Sequence, residues 1–253
     1  MSDVVVKGFS ILVHGQSKSG KSWLSDTGPT PRLCIDAEGG NATEWTPSRK
    51  KEWDPIKEAP PVPDGTWDTC VVNARDYQTV VQVYEWLNSG QHPFNTVSLD
   101  SVSEIQQRCV DSIAGANQMQ TQNWGELLRV VSQLIRSFRD FSKHAIRPIP
   151  VVVFITMSTI KNNKFYPLVQ GGLSDRLPYY PDVCGYMTVT PPDETGACYR
   201  YLMIGPSYEY LTGERVGGRL GAHVHIPDGD MTLTRMHGMI FPNNPLELEG
   251  TNA

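Results

Sequence analysis

The chain has 253 residues, 39% hydrophobic and 19% charged, proportions that fit a folded globular protein and exclude wholesale disorder. A chain of this length can bury roughly 70–75% of its unfolded surface, so its core needs no disulfide or metal staple. With Lys+Arg 22 against Asp+Glu 27 the formal net charge is -5, which excludes a generally basic nucleic-acid coat but leaves room for a local basic groove.

The pattern along the chain is strand, loop, helix, repeated. Residues 9–14 read as a buried strand, followed by a Gly/Ser-rich turn and a short helix from Lys21. Residues 32–36 form a second apolar strand that ends in acids and glycines. Residues 46–65 carry prolines and charges with no period of 2 or 3.6, which predicts a surface excursion. A strand over 69–73, a helix over 77–87 with Val80, Val81, Tyr84 and Leu87 on one face, and a strand over 96–100 come next. A helical region follows, broken near Gly115 and resuming after Asn123, where Leu127, Leu128, Val131, Leu134, Ile135, Phe138 and Phe141 recur at helical spacing. Residues 151–156 are the most apolar strand. From Val183 on, short strands separated by Pro/Gly turns suggest an antiparallel extension of the sheet. Continuous apolar strands alternating with helices predict an α/β fold whose mostly parallel sheet is covered on both faces.

The five cysteines (Cys34, Cys70, Cys109, Cys184 and Cys198) are widely spaced without a C-x-x-C pair, which fits reduced thiols in an intracellular protein. The first residues lack a signal-peptide pattern and the longest apolar run, near 150–155, is far too short for a membrane span. A soluble cytoplasmic protein without membrane contact is expected.

Gly15-Gln16-Ser17-Lys18-Ser19-Gly20-Lys21-Ser22 matches the phosphate-loop pattern GxxxxGK[ST] in full, after a strand and before a helix as that pattern requires. Gly15 and Gly20 let the backbone turn its N–H groups inward, and the helix N-terminus adds a positive field. Lys21 is suited to the β- and γ-phosphates and the Ser22 hydroxyl to Mg²⁺. Ligands of a parallel sheet lie outside the carboxyl ends of its strands. Asp100 is therefore the expected Mg²⁺-holding acid, with Asp36 as runner-up. Glu38 is placed either to polarise a water attacking the γ-phosphate or, with Asp36, merely to cap a loop.

The order of the phosphate loop, Ile35-Asp36-Ala37-Glu38 and Leu99-Asp100-Ser101-Val102 resembles the core of RecA-like recombinases. The compact size resembles the short RecA-like ATPases encoded by phages and linked to single-strand annealing and recombination. The resemblance implies one RecA-like P-loop domain over 1–253: a core of about 8–221, the excursion 46–65 and a strand-rich tail 222–253. It implies an ATPase with ATP and Mg²⁺ as ligands, Glu38 as base, Lys21 and Ser22 on phosphate and Mg²⁺, and Asp100 as the second acid. It also implies a homo-oligomer or filament with ATP between subunits, single-stranded DNA as substrate, a single-strand-binding protein as candidate partner, and the host cytoplasm as location if the gene is a phage's. RecA-like proteins usually end the strand matching 151–156 in a polar residue that senses the γ-phosphate; Thr156 and Ser158 are the candidates here. The loop after that strand faces the DNA axis in the family. Lys161 and Lys164 would then serve the backbone, and Phe165 and Tyr166 the bases; a hairpin with surface lysines and packed aromatics fits the same residues. Arg215 and Arg219, in a Gly-rich segment, read either as trans arginine fingers or as an exposed turn.

Other patterns carry less. Arg129, Arg136, Lys143 and Arg147 recur as a solvated helix face, and His223 and His225 have no acid or cysteine at metal-ligand spacing. Two rival classes stay open: a P-loop nucleotide or small-molecule kinase, and a regulator that binds nucleotide without hydrolysing it.

Overall fold

Backbone groups of a strand buried on both faces can be satisfied only by neighbouring strands, so the Val/Ile/Leu runs gather at the centre of one sheet. The computed structural model describes residues 7–40, 48–115, 117–225 and 232–244. In chain order the elements are β1 (Phe9–Gly15), α1 (Lys21–Ser25), β2 (Arg32–Asp36), β3 (Lys50–Glu52), β4 (Thr69–Asn73), α2 (Tyr77–Asn88), β5 (Thr96–Asp100), α3 (Val102–Ala114), α4 (Thr121–Asp140), β6 (Val151–Lys161), β7 (Lys164–Pro167), α5 (Leu173–Arg176), β8 (Val183–Val189), β9 (Arg200–Met203), β10 (Gly213–Glu214), β11 (His223–His225) and α6 (Leu233–Ile240). Strand order is β11-β9-β8-β1-β6-β5-β2-β4-β3, with β10 on β8 and β7 on β6. From β3 through to β8 every neighbouring pair is parallel; β9, β10, β11 and β7 pair antiparallel. This is the mostly parallel α/β fold that the alternation of apolar strands and helices predicts.

Two apolar layers cover the sheet. On one face α2, α3 and α4 bury Val80, Ile105 and Ile135 against Leu33, Leu99 and Phe154. On the other, α1 and α6 bury Leu24, Met236 and Ile240 against Ile11, Val13 and Val153. Helix starts follow their chemistry: Asp76 and Ser101 accept from the backbone N–H three residues on, at 2.7 and 3.3 Å, and begin α2 and α3. Cys34, Cys70, Cys109 and Cys184 are buried, whereas Cys198 is exposed on the connection between β8 and β9.

Three expectations change. The excursion 46–65 (its first two residues lie outside the described ones) is not pure surface. It supplies edge strand β3 and buries Trp53, while Trp67 just beyond it is buried as well, because two indoles outweigh the local Pro and charge content. The region from Val183 does not begin antiparallel: β8 runs parallel to β1, and the reversal comes only at β9. The tail 222–253, expected to be strand-rich, has its one strand at β11 among described residues and then turns helical as α6, whose Leu233, Met236 and Ile240 recur at helical spacing and close the second apolar layer. No described helix is long and apolar enough to cross a membrane.

Candidate functional site

The phosphate loop hangs between the end of β1 and α1, at the carboxyl edge of the parallel strands. Its glycines are dictated by space. A Cβ on Gly15 would lie 2.6 Å from the Met187 carbonyl oxygen of neighbouring β8. Gly20 has φ 100, a left-handed backbone that side chains disfavour. Ser19 Oγ donates to the Gln16 carbonyl at 2.9 Å and tightens the turn, while Gln16, Ser17 and Lys18 form its exposed crest.

Lys21 folds back over this loop, its Nζ donating to the carbonyls of Gly15 at 3.2 Å and Gln16 at 2.7 Å. Burial lowers its pKa, and the charges of Asp100 and Glu38 oppose that shift. A cavity of about 220 Å³ opens here, lined by Lys18, Gly20, Lys21, Ser22, Glu38, Asp100 and Met157. The structure thus brings together Lys21, Ser22, Glu38 and Asp100, which lie far apart in sequence.

Glu38 is positioned by its neighbours. Asp36 Oδ1 accepts from the backbone N–H of Glu38 at 3.1 Å and of Gly39 at 2.8 Å, fixing the turn that presents the Glu38 side chain. Ser101 Oγ, fully buried at the start of α3, donates to Glu38 Oε1 at 2.5 Å. The peptide between Asp100 and Ser101 is cis. Of the two readings for this acidic turn, Asp36 takes the capping role and Glu38 faces the cavity. Asp36 is accordingly not among the cavity's lining residues, although it sits level with Asp100 in the sheet register.

Strand alternation decides which side chain of β6 reaches the cavity. Val151, Val153 and Ile155 face the α1 side, so Met157 reaches the cavity and Thr156 and Ser158 do not. Thr156 is buried on the opposite face with its hydroxyl unpartnered, and Ser158 hydrogen-bonds His14 at 2.9 Å. The Leu211 carbonyl can only accept, so His14 Nε2 carries the proton and Nδ1 accepts from Ser158. Burial holds this imidazole neutral, its pKa lowered to about 4, with the Lys21 charge adding to the effect against the Leu211 carbonyl. Counting by twos along β6 points to Met157; reading the sequence for polar residues does not.

Strand β6 runs on past the end of β1 at Met157 and turns back at Asn162-Asn163, both with positive φ, into β7. The four residues assigned to this hairpin are engaged internally. Lys161 Nζ donates to Ser174 Oγ and lies 5.8 Å from the Tyr166 ring, and Lys164 Nζ donates to the Ser207 carbonyl. Phe165 packs against Tyr186 and Tyr210 at 5.1 and 5.8 Å between ring centroids. The ring left wholly exposed nearby is Tyr208, in the segment that pairs with β7. Nothing local in the sequence separates Tyr208 from Tyr210; only the pairing does.

Arg215 and Arg219 lie elsewhere. Arg215 pairs with Asp182 at 2.9 Å and donates to the Tyr180 carbonyl, and Asp182 in turn holds Ser10 near the start of β1. Arg219 donates to the Ile240 carbonyl at the end of α6. Both sit near the edge of β1 opposite its phosphate loop. A larger cavity, about 500 Å³, opens beside β3 and β4, where the carboxylates of Glu52, Asp54, Glu58 and Asp76 outnumber the cations Lys57 and Arg75. Among the described residues no cluster of three or more His, Cys, Asp or Glu could hold a metal ion. Ser22 and Asp100 do offer hydroxyl and carboxylate oxygens in one cavity, a hard donor pair that fits Mg²⁺ completed by phosphate and water.

Residues 7–216 match the sequence profile of the family described as AAA domain. Among solved structures, the chain is similar to a prototypical ATPase from the type III secretion system of pathogenic bacteria, with a TM-score of 0.47 and 13% identity, covering 72% of this chain and 52% of that one. This chain thus aligns to about half of that protein. A search of curated proteins finds no significant match.

Proposed function

This chain belongs to the AAA domain family, and on that premise we propose that it hydrolyses ATP with Glu38 as general base and couples turnover to single-stranded DNA. The observation that carries the hydrolytic part is the Glu38 carboxylate, held by Ser101 and facing the cavity that Lys21 and Asp100 share. The loop N–H groups and the start of α1 receive the phosphates, and Lys21 exchanges the Gly15 and Gln16 carbonyls for phosphate oxygens. Ser101 occupies Oε1 of Glu38, leaving Oε2 to accept a proton from water as its oxygen attacks the γ-phosphorus and the bond to the β-phosphate oxygen breaks. Mg²⁺, when bound by Ser22 and Asp100, supplies charge neutralisation to the phosphates. A kinase would need an acceptor site beside the cavity; the Glu38 carboxylate fits water there instead.

The DNA part rests on continuity. Strand β6 passes from Met157 in the cavity to the hairpin tip without interruption, and the Met157 backbone is anchored by the Ser103 hydroxyl and the Leu168 N–H. Lys161 and Lys164 bring charge to a protein whose overall balance is acidic, and Tyr208 offers a free ring for a base. Recombination or annealing of the phage type, in a homo-oligomer with ATP between subunits, is the setting that suits these parts. Arg215 and Arg219 are its candidate trans arginines once released from Asp182 and Ile240. The test is ATP turnover across a titration of single-stranded DNA at low salt. Stimulation is expected; unchanged turnover removes DNA from the proposal and leaves an ATPase.

A further inference from the structure

The phosphate loop has a second neighbour that no part of the hydrolytic reading uses. Arg200 opens β9 and pairs with Val189 of β8, while β8 pairs along β1 up to Gly15 and Met187. This backbone ladder places the Arg200 side chain directly against the loop: a Cβ built on Gly20 would meet its Cδ at 3.0 Å and its Nε at 3.1 Å. No hydrogen bond or ion pair holds Arg200 among the described residues, in contrast to Arg49, Arg108, Arg139 and Arg215, each of which pairs with an acid. Arg200 is also absent from the cavity wall where Glu38, Asp100 and Met157 stand. Those residues come from β2, β5 and β6 on one side of β1, whereas β9 lies on the other.

We propose that Arg200 is a nucleotide-binding residue that contacts the α- and β-phosphates from the flank of the loop opposite Glu38 and Asp100. The inference rests on the reading of this loop as an ATP site. A guanidinium is planar, always charged and forked, and phosphate oxygens satisfy it two at a time. Its stem crosses Gly20 because that residue has no side chain, so the glycine serves the arginine as well as the turn. The acids on the other flank are directed at the γ-phosphate end, which leaves the inner phosphates for Arg200. An exposed cation with no acid to neutralise it, fixed by strand pairing beside a loop built for anions, adds binding energy without ordering a new segment.

The test is calorimetric titration of the full chain with MgATP and MgADP, for wild type, Arg200→Ala, Arg200→Gln, Arg200→Lys and Lys21→Ala. Arg200→Gln keeps the stem over Gly20 and removes the charge, so a fold defect in the alanine variant does not confuse the result. The expected outcome is a loss of about tenfold in affinity for both nucleotides in the alanine and glutamine variants and a smaller loss in the lysine variant. Affinities within twofold of wild type overturn the inference, as does a loss confined to ATP, which would move the contact to the γ-phosphate. Failure of the ATP-site reading is distinguishable: there wild type binds neither nucleotide, or Lys21→Ala binds as well as wild type.

Discussion

On one flank of β1, strands β6, β5 and β2 run parallel and deliver Met157, Asp100 and Glu38 to the phosphate cavity; on the other, β8 runs parallel but β9 doubles back antiparallel and delivers Arg200. The first flank is acidic and converges at the carboxyl edge because parallel strands all end on the same side. The second reaches that edge only by a hairpin that doubles back, so its contribution is a long side chain laid across the loop. On the proposed reading, one flank changes a phosphate bond and the other holds phosphates in place. Substitutions on the two sides should therefore divide between turnover and affinity.

Glu38→Gln tests that division most severely. It should lower kcat by about 10²- to 10⁴-fold, the range for losing a general base, with ATP affinity nearly unchanged. Equal turnover in single-turnover assays would dissolve the distinction between the flanks. Next in size is the effect of pH on the seam between them. The unfolded chain protonates His14 near 6.5, whereas the folded chain resists protonation until about 4. Stability is therefore fully present above 6.5 and declines as pH falls through that window, by up to ~3 kcal/mol. His14→Gln keeps a hydrogen-bonding side chain that cannot titrate, and urea midpoints should fall less steeply with acidification; His92, also pushed down to about 4, supplies part of the remaining slope. Ser101→Ala releases Glu38 Oε1 and should lower kcat about tenfold with little change in KM; lower stability at unchanged kcat would mean that Ser101 serves only to begin α3. The smallest expected effect is Tyr208→Ala, a several-fold weakening of single-stranded DNA binding at unchanged basal turnover, read by fluorescence anisotropy.

The acidic flank was largely legible in the amino-acid order. Phosphate-loop spacing, the acids closing residues 32–36 and 96–100, and the apolar runs between them are local patterns, and the sheet confirms those strands at their predicted bounds. Met157 was hidden by chemistry rather than distance, since a thioether in place of a polar side chain shows only when the alternation is counted. The other flank was opaque for a different reason. Arg200 meets Gly20 across 180 positions through two strand pairings, and no periodicity in either segment announces the contact. Tyr208 and Tyr210 were separated by a pairing of the same kind, which stacks Tyr210 on Tyr186 and leaves Tyr208 in solvent. The tryptophans around the Pro-rich stretch show the converse, a polar segment drawn inward by two side chains.

The distribution of thiols has a practical consequence. Four of the five cysteines are sealed in the core, and burial pushes Cys70 and Cys184 up to about 12 and Cys109 to about 11, so none of them presents thiolate to a reagent near neutral pH. Cys198 stands in solvent two residues before Arg200. A maleimide fluorophore should attach at that single position in the native chain, with no cysteine removed beforehand, and its emission would report nucleotide arrival from just ahead of the strand that touches the loop.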